Sequence, residues 1–124
     1  MPYTITKQFH FSASHVLDGL PDGHQCGRLH GHNYLVELVL SADNLNQHGF
    51  VRDYGDLDEF ADWIKRVLDH RHLGGGDLPG VLLIQTTAEN IARYIYQTWQ
   101  PSRFLELVAV RVSETPRTSA EYRP

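Results

Sequence analysis

Two stretches, residues 3–15 and 30–42, each carry an apolar stripe on alternate positions, and both stripes run out into histidine. In the first, Tyr3, Ile5, Phe9, Phe11 and Ala13 lie on odd positions, and the next odd position is His15. In the second, Tyr34, Val36, Leu38 and Leu40 lie on even positions, and extending the series backwards gives His32 and then His30. Residues two apart on a strand share a face. If the two strands pair antiparallel, both stripes turn into histidine at the same end of one sheet face. Three neutral imidazoles there suit zinc with a fourth position left open, the pattern of a catalytic rather than a structural site. The competing reading is a set of polar strand-end residues satisfied by backbone hydrogen bonds. A His-x-His pair also serves metal oxygenases, so the pair alone does not name a reaction.

Residues 16–29 join the two strands through a loop containing Gly19, Pro21, Gly23 and Gly27, a length that inside a small domain usually carries function. Cys26 sits in this loop, four residues before His30. It could be an inert buried thiol, a metal ligand or a thiolate base. The base is preferred, because three histidines already complete a catalytic set and reactivity needs a cationic neighbourhood. His24 lies close enough in sequence to help with substrate, while His10, His48 and His72 read as surface residues.

Helical periodicity takes over after Asp56, with Leu57, Phe60, Ile64 and Leu68 on one face and Asp56 and Glu59 spaced as a capping box. The Gly74-Gly75-Gly76 run is expected to stop this helix. A second helix should start after Thr86, capped by Thr86 and Glu89, bury Ala88, Ile91, Ala92, Ile95 and Trp99, and end at Pro101. Residues 104–114 return to strand, with Val108, Val110 and Val112 facing one way and Leu105, Leu107 and Ala109 the other. A short last strand is expected near 120–122. The order gives one α+β domain over residues 1–124, a four-stranded antiparallel sheet with two helices on one face.

Composition narrows the function classes. Eleven Lys and Arg against fifteen Asp and Glu leave a net charge of −4, the wrong sign for a nucleic-acid binder. No apolar run approaches the roughly 18 residues of a membrane span. One cysteine excludes an internal disulfide and fits a reducing compartment. The first residues, Met1 to Lys7, lack the basic and apolar regions of a secretory signal, so a cytoplasmic protein is expected.

The string Cys26-Gly27-Arg28-Leu29-His30-Gly31-His32-Asn33 resembles the core motif of the 6-pyruvoyltetrahydropterin synthase superfamily, nearest its bacterial 6-carboxytetrahydropterin synthase branch. Phe11-Ser12-Ala13-Ser14-His15 resembles the family's first zinc-ligand segment, Leu68-Asp69-His70 its Asp-His pair, Thr87-Ala88-Glu89-Asn90 the start of its second helix, and Ser113-Glu114-Thr115 its pterin-anchoring segment. The order matches from about residue 5 to residue 123. The chain departs from the pattern between Gly74 and Gln85, a segment that bears on substrate specificity.

The resemblance implies a T-fold whose sheets close into a barrel on oligomerisation, a homohexamer built as a dimer of trimers, with active sites between subunits. It implies zinc held by His15, His30 and His32, and a lyase acting on 7,8-dihydroneopterin triphosphate to give 6-carboxy-5,6,7,8-tetrahydropterin, acetaldehyde and triphosphate, on the route to 7-deazapurines such as queuosine. The alternatives are a pyruvoyltetrahydropterin synthase, which retains the three-carbon side chain, a non-catalytic pterin binder, or a metal oxygenase. Cys26 would act as base, Asp69 and His70 as a proton relay from a neighbouring subunit, and Glu114 as both pterin anchor and relay. Thr87 and His24 would contact substrate, and Arg28 and Lys7 would face the triphosphate.

Overall fold

The computed structural model describes residues 1–74 and 85–124. Strand β1 (Tyr3–His15) pairs antiparallel with β2 (His30–Ala42) along its whole length, from Tyr3 opposite Ala42 to His15 opposite His30. The alternation read from the sequence is the alternation found. Phe9, Phe11 and Ala13 of β1 and Tyr34, Val36, Leu38 and Leu40 of β2 are buried on one face. Helices α1 (Asp58–Val67) and α2 (Ala88–Trp99) complete that core with Phe60, Ile64, Ile91, Ala92, Ile95 and Trp99. Phe60 meets Phe9 edge-on at 4.9 Å and Trp99 edge-on at 5.3 Å, tying both helices to the sheet.

The sheet has five strands, in the order β3-β1-β2-β4-β5, with β3 at Arg71–His72, β4 at Leu107–Ser113 and β5 at Ala120–Tyr122. Four antiparallel strands were expected. The addition is β3, which runs parallel to β1 beside Ala13 and Ser14. Two residues are too few to show any periodicity, so nothing in the sequence marks them as a strand.

The helix boundaries also differ from expectation. The chain enters α1 through a short 3₁₀ turn, Tyr54–Leu57, and Asp53 caps that turn by accepting the Gly55 N–H at 2.8 Å. Leu57 is the N-cap of α1 itself and makes no side-chain bond, so Asp56 and Glu59 form no capping box. The helix ends at Val67, and the backbone turns at His70, whose φ is +58°. The stop therefore precedes Gly74; Gly75 and Gly76 lie outside the described residues. At α2 the cap is Thr87, which accepts the Asn90 N–H, while Thr86 is buried and used otherwise.

On β4, Leu40 faces Leu107 and Val39 faces Ala109, leaving Val108 as an extra residue in a bulge. Leu107 consequently joins the core with Val110 and Val112, instead of facing away from them. Of the other two residues expected on the opposite face, Ala109 is buried and Leu105 is 72% exposed; on β2 the same face carries buried Val39 and half-buried Leu35. That face also carries a polar row in which Arg111 bridges Glu37 and Glu121.

Candidate metal and active site

The β1–β2 register places His15 opposite His30, and Ala13 opposite His32, so the three imidazoles converge where the apolar stripes end. One candidate ligand nitrogen from each lies within 4.8 Å of the others. His15 is fully buried and the other two are half-buried. Partners on the far side of two rings fix the tautomers. His15 Nδ1 lies 2.9 Å from the Thr86 carbonyl, and His30 Nδ1 lies 2.6 Å from the Arg28 carbonyl. A carbonyl can only accept, so both Nδ1 atoms carry a proton, and in the neutral ring it is Nε2 that presents the lone pair. His15 Nε2 is buried with no hydrogen-bond partner among the described residues, and so is His32 Nε2. Leaving such nitrogens unpaired costs about 1–3 kcal/mol each. Burial holds the His15 imidazole below its ordinary pKa, against the opposing pull of the Thr86 carbonyl. Convergent, and with two of its nitrogens otherwise unsatisfied, this donor set fits a borderline-soft dication such as zinc.

Glu114 follows β4 and brings its carboxylate to 3.0 Å from His32 Nε2, although the alignment is not that of a hydrogen bond. The same carboxylate lines a cleft of about 550 Å³ shared with His10, His32, Asn33 and Thr115. His10, expected only as a surface residue, thus borders the cleft that holds Glu114.

Cys26 lies in a 3₁₀ turn, Gln25–Gly27, and is half-buried and free. His24 caps that turn, its Nδ1 accepting the Cys26 N–H at 3.0 Å, and the Cys26 carbonyl accepts from Leu17 N–H. The thiol is not among the three converging ligand atoms. Arg28 reaches the site through its carbonyl on His30, while its side chain borders a separate hollow in the loop with His24.

Asp69 and His70 grip the edge of β1. Asp69 Oδ1 accepts the Ser12 N–H at 2.9 Å, and His70 N–H donates to the Ser12 carbonyl. Asp69 Oδ2 lies 3.0 Å from His70 Nδ1. The Ser12 N–H, more than any other neighbour, holds the Asp69 carboxyl below its usual range. The His70 side chain is 84% exposed. It borders a hollow of about 410 Å³ with Ser12, Ser14, His32 and His72, and the His72 ring is bonded to Ser14 Oγ at 2.9 Å.

Two of the expected substrate-contact residues have other partners within the chain. Lys7 stands eight residues from His15 on β1, roughly 27 Å at 3.4 Å per residue. Its Nζ donates to the Tyr54 carbonyl and lies 3.6 Å from Asp58. Thr87 spends its hydroxyl on the α2 cap. Conversely, Thr86 and Tyr34 touch His15 and were not expected to. Thr86 carried no signal, because it meets His15 across 71 residues of sequence, through its backbone carbonyl at 2.9 Å and its hydroxyl at 3.4 Å. Tyr34 did carry one: it is the next even position after His30 and His32, and reads as core.

Comparison with known proteins gives a consistent picture. A family model described as 6-pyruvoyl tetrahydropterin synthase matches residues 4–124. The 6-carboxy-5,6,7,8-tetrahydropterin synthase of Haemophilus influenzae is 30% identical, covering 98% of this chain and 99% of its own. The 6-pyruvoyl tetrahydrobiopterin synthase of Dictyostelium discoideum is also 30% identical, covering 80% and 73%. The solved 6-pyruvoyl tetrahydropterin synthase of Caenorhabditis elegans superposes with a TM-score of 0.85 at 27% identity, covering 98% of this chain and 95% of the other.

Proposed function

We infer the function from one premise: this chain belongs to the 6-pyruvoyl tetrahydropterin synthase family. Within that family it is a zinc-dependent lyase of the 6-carboxytetrahydropterin synthase type. Its substrate is 7,8-dihydroneopterin triphosphate, and its products are 6-carboxy-5,6,7,8-tetrahydropterin, acetaldehyde and triphosphate. The observation that carries this is the convergence of three imidazoles, two of them with buried and unpaired Nε2 atoms, beside the Glu114 carboxylate. Full-length similarity to the Haemophilus influenzae enzyme supports the carboxy branch.

His15, His30 and His32 would hold the zinc. When bound, zinc supplies Lewis acidity that lowers the pKa of the side-chain hydroxyls and stabilises charge developing next to them. Cys26, as thiolate, takes the carbon-bound proton, and His24 fixes the turn that presents it. Asp69 orients His70 through Nδ1, which leaves His70 Nε2 free to move a proton at a hydroxyl of the substrate. Glu114 accepts from the ring N–H and exocyclic amine of the pterin, two donors side by side. Arg28 and Thr87 complete the substrate contacts, and Lys7, remote within its own chain, would reach a triphosphate only across a subunit boundary.

The active form would be a homohexamer of two stacked trimers acting in the cytoplasm, with Asp69 and His70 serving a neighbour's zinc. The exposure of His70 at the β3 edge supports that arrangement. Among the described residues, no helix is long and apolar enough to cross a membrane.

The test is to incubate the purified protein with 7,8-dihydroneopterin triphosphate and identify the products by mass spectrometry. Acetaldehyde and the 6-carboxy product are expected, and chelation of zinc should abolish both. A product that keeps the three-carbon side chain would assign the pyruvoyl branch, which the Dictyostelium discoideum relative keeps open. Bound pterin without triphosphate release would mean a binder, and oxygen consumption an oxygenase. In the same assay Cys26→Ala should retain zinc and lose turnover; loss of zinc would make Cys26 a ligand.

A further inference from the structure

The Tyr34 hydroxyl is a buried polar group with no task in the chemistry above. Tyr34 is 0% exposed. Its ring stacks on Phe11 at 4.7 Å with an interplanar angle of 10°, and stands edge-on to His32 at 5.4 Å. Packed on both sides, it cannot swing clear. Its oxygen lies 3.3 Å from His15 Nδ1. We propose that Tyr34 is a positioning residue for His15, its hydroxyl fixing the ring plane that aims His15 Nε2 at the metal. This rests on the assignment of His15, His30 and His32 as the zinc site.

The geometry around His15 Nδ1 explains why a second residue matters. The Thr86 carbonyl at 2.9 Å dictates that Nδ1 bears the proton. The Thr86 hydroxyl lies 3.4 Å from the same nitrogen, so both contacts come from one residue, in the segment leading into α2. Held by Thr86 alone, His15 would follow any movement of that segment. Tyr34 belongs to β2, the strand that carries His30 and His32, and lies two residues beyond His32. A hydroxyl oxygen accepting a share of the same N–H references His15 to the strand of its fellow ligands. Partners behind a metal-bound histidine act this way in general: they set ring orientation and basicity, and losing one typically weakens metal binding 10- to 100-fold.

Two measurements test this. The first is competition for zinc against a chromophoric chelator, using the wild type, Tyr34→Phe and His15→Ala. Tyr34→Phe keeps the ring and its stacking, so far-UV circular dichroism should not change. Its zinc affinity should fall about tenfold, less than in His15→Ala. Equal affinity in the wild type and Tyr34→Phe overturns the proposal. The second needs no variant: long-range ¹⁵N–¹H spectra of histidine-labelled, metal-free wild type should show the His15 proton on Nδ1. A proton on Nε2 overturns the proposal even if Tyr34→Phe fails to fold. If the wild type bound no zinc at all, the metal site itself would be wrong, a result separate from zinc binding that ignores Tyr34.

Discussion

Asp69 does two jobs at once, closing the edge of β1 through the Ser12 N–H and orienting His70. Because the Ser12 N–H holds its folded pKa below the ordinary carboxyl value, the ionised carboxylate stabilises the fold above that range. The contribution is lost as the pH falls through the folded pKa. Asp69→Asn should therefore melt at a lower temperature than the wild type at pH 7, and the gap should narrow below about pH 4. A gap that persists unchanged at pH 3 would assign the loss to shape, not charge. Glu114 allows a sharper test of affinity. Glu114→Gln replaces an acceptor of two hydrogen bonds with an amide that also donates, so calorimetric affinity for a bare pterin should drop by about 1.5–3 kcal/mol. Unchanged affinity would remove Glu114 from the anchor. At this scale the sequence was legible wherever a functional residue continued a periodic stripe: His15, His30 and His32 are the ends of apolar series. It was silent on Thr86, whose shorter contact is a backbone carbonyl, and misleading on Tyr34, which looks like core because it is core.

Elements that place the site depend on close backbone approach and on caps. A Cβ built on Gly31 would lie 3.2 Å from the Ala13 carbonyl, tighter than ordinary contact. Gly31→Ala must therefore push β1 and β2 apart between His30 and His32. Zinc affinity should suffer more than the melting temperature, as chelator competition and calorimetry on one sample would reveal; an unshifted zinc affinity would mean that the strands yield elsewhere. Thr87→Ala removes the α2 cap and should cost about 1 kcal/mol of stability by denaturant titration. A rise in KM on top of that would mean that Thr87 also meets substrate. The buried faces of both helices follow from their 3.6-residue period, and Leu57, Phe60, Ile64 and Leu68 are all in the core. Their starts did not follow, because a 3₁₀ entry moved one cap to Asp53 and the other belongs to the second of two adjacent threonines. Strand β3 was invisible for a different reason: two residues paired to Ala13 and Ser14 owe their conformation to a partner 58 residues away in sequence.

Taken whole, the chain leaves sheet edges and apolar side chains at the surface, among them Leu105, Phe50, Tyr54 and Tyr3. Such features invite association. Whether the site is shared can be read by mixing Cys26→Ala with His70→Ala. Each alone should be nearly inactive, and co-refolding should restore part of the activity by pairing an intact Cys26 with an intact His70. His70 and His32 border the same hollow within one chain, so a mixture that exchanges subunits yet stays inactive would place the relay in its own chain. The bulge at Val108 has a consequence on this scale as well. Alternation has a parity, and one unpaired residue reverses it. Before the bulge an odd residue, Leu107, faces the core; after it the even residues Val110 and Val112 do, and Glu114 is the next of their kind. Were Val108 paired as an ordinary ladder position instead of bulging out, the two halves of the strand would be at odds. Either Leu107 leaves the core, or Arg111 enters it and the carboxylate turns away from the histidines. The bulge that absorbs this one supernumerary residue thus keeps the hydrophobic interior and the carboxylate beside the histidines in phase.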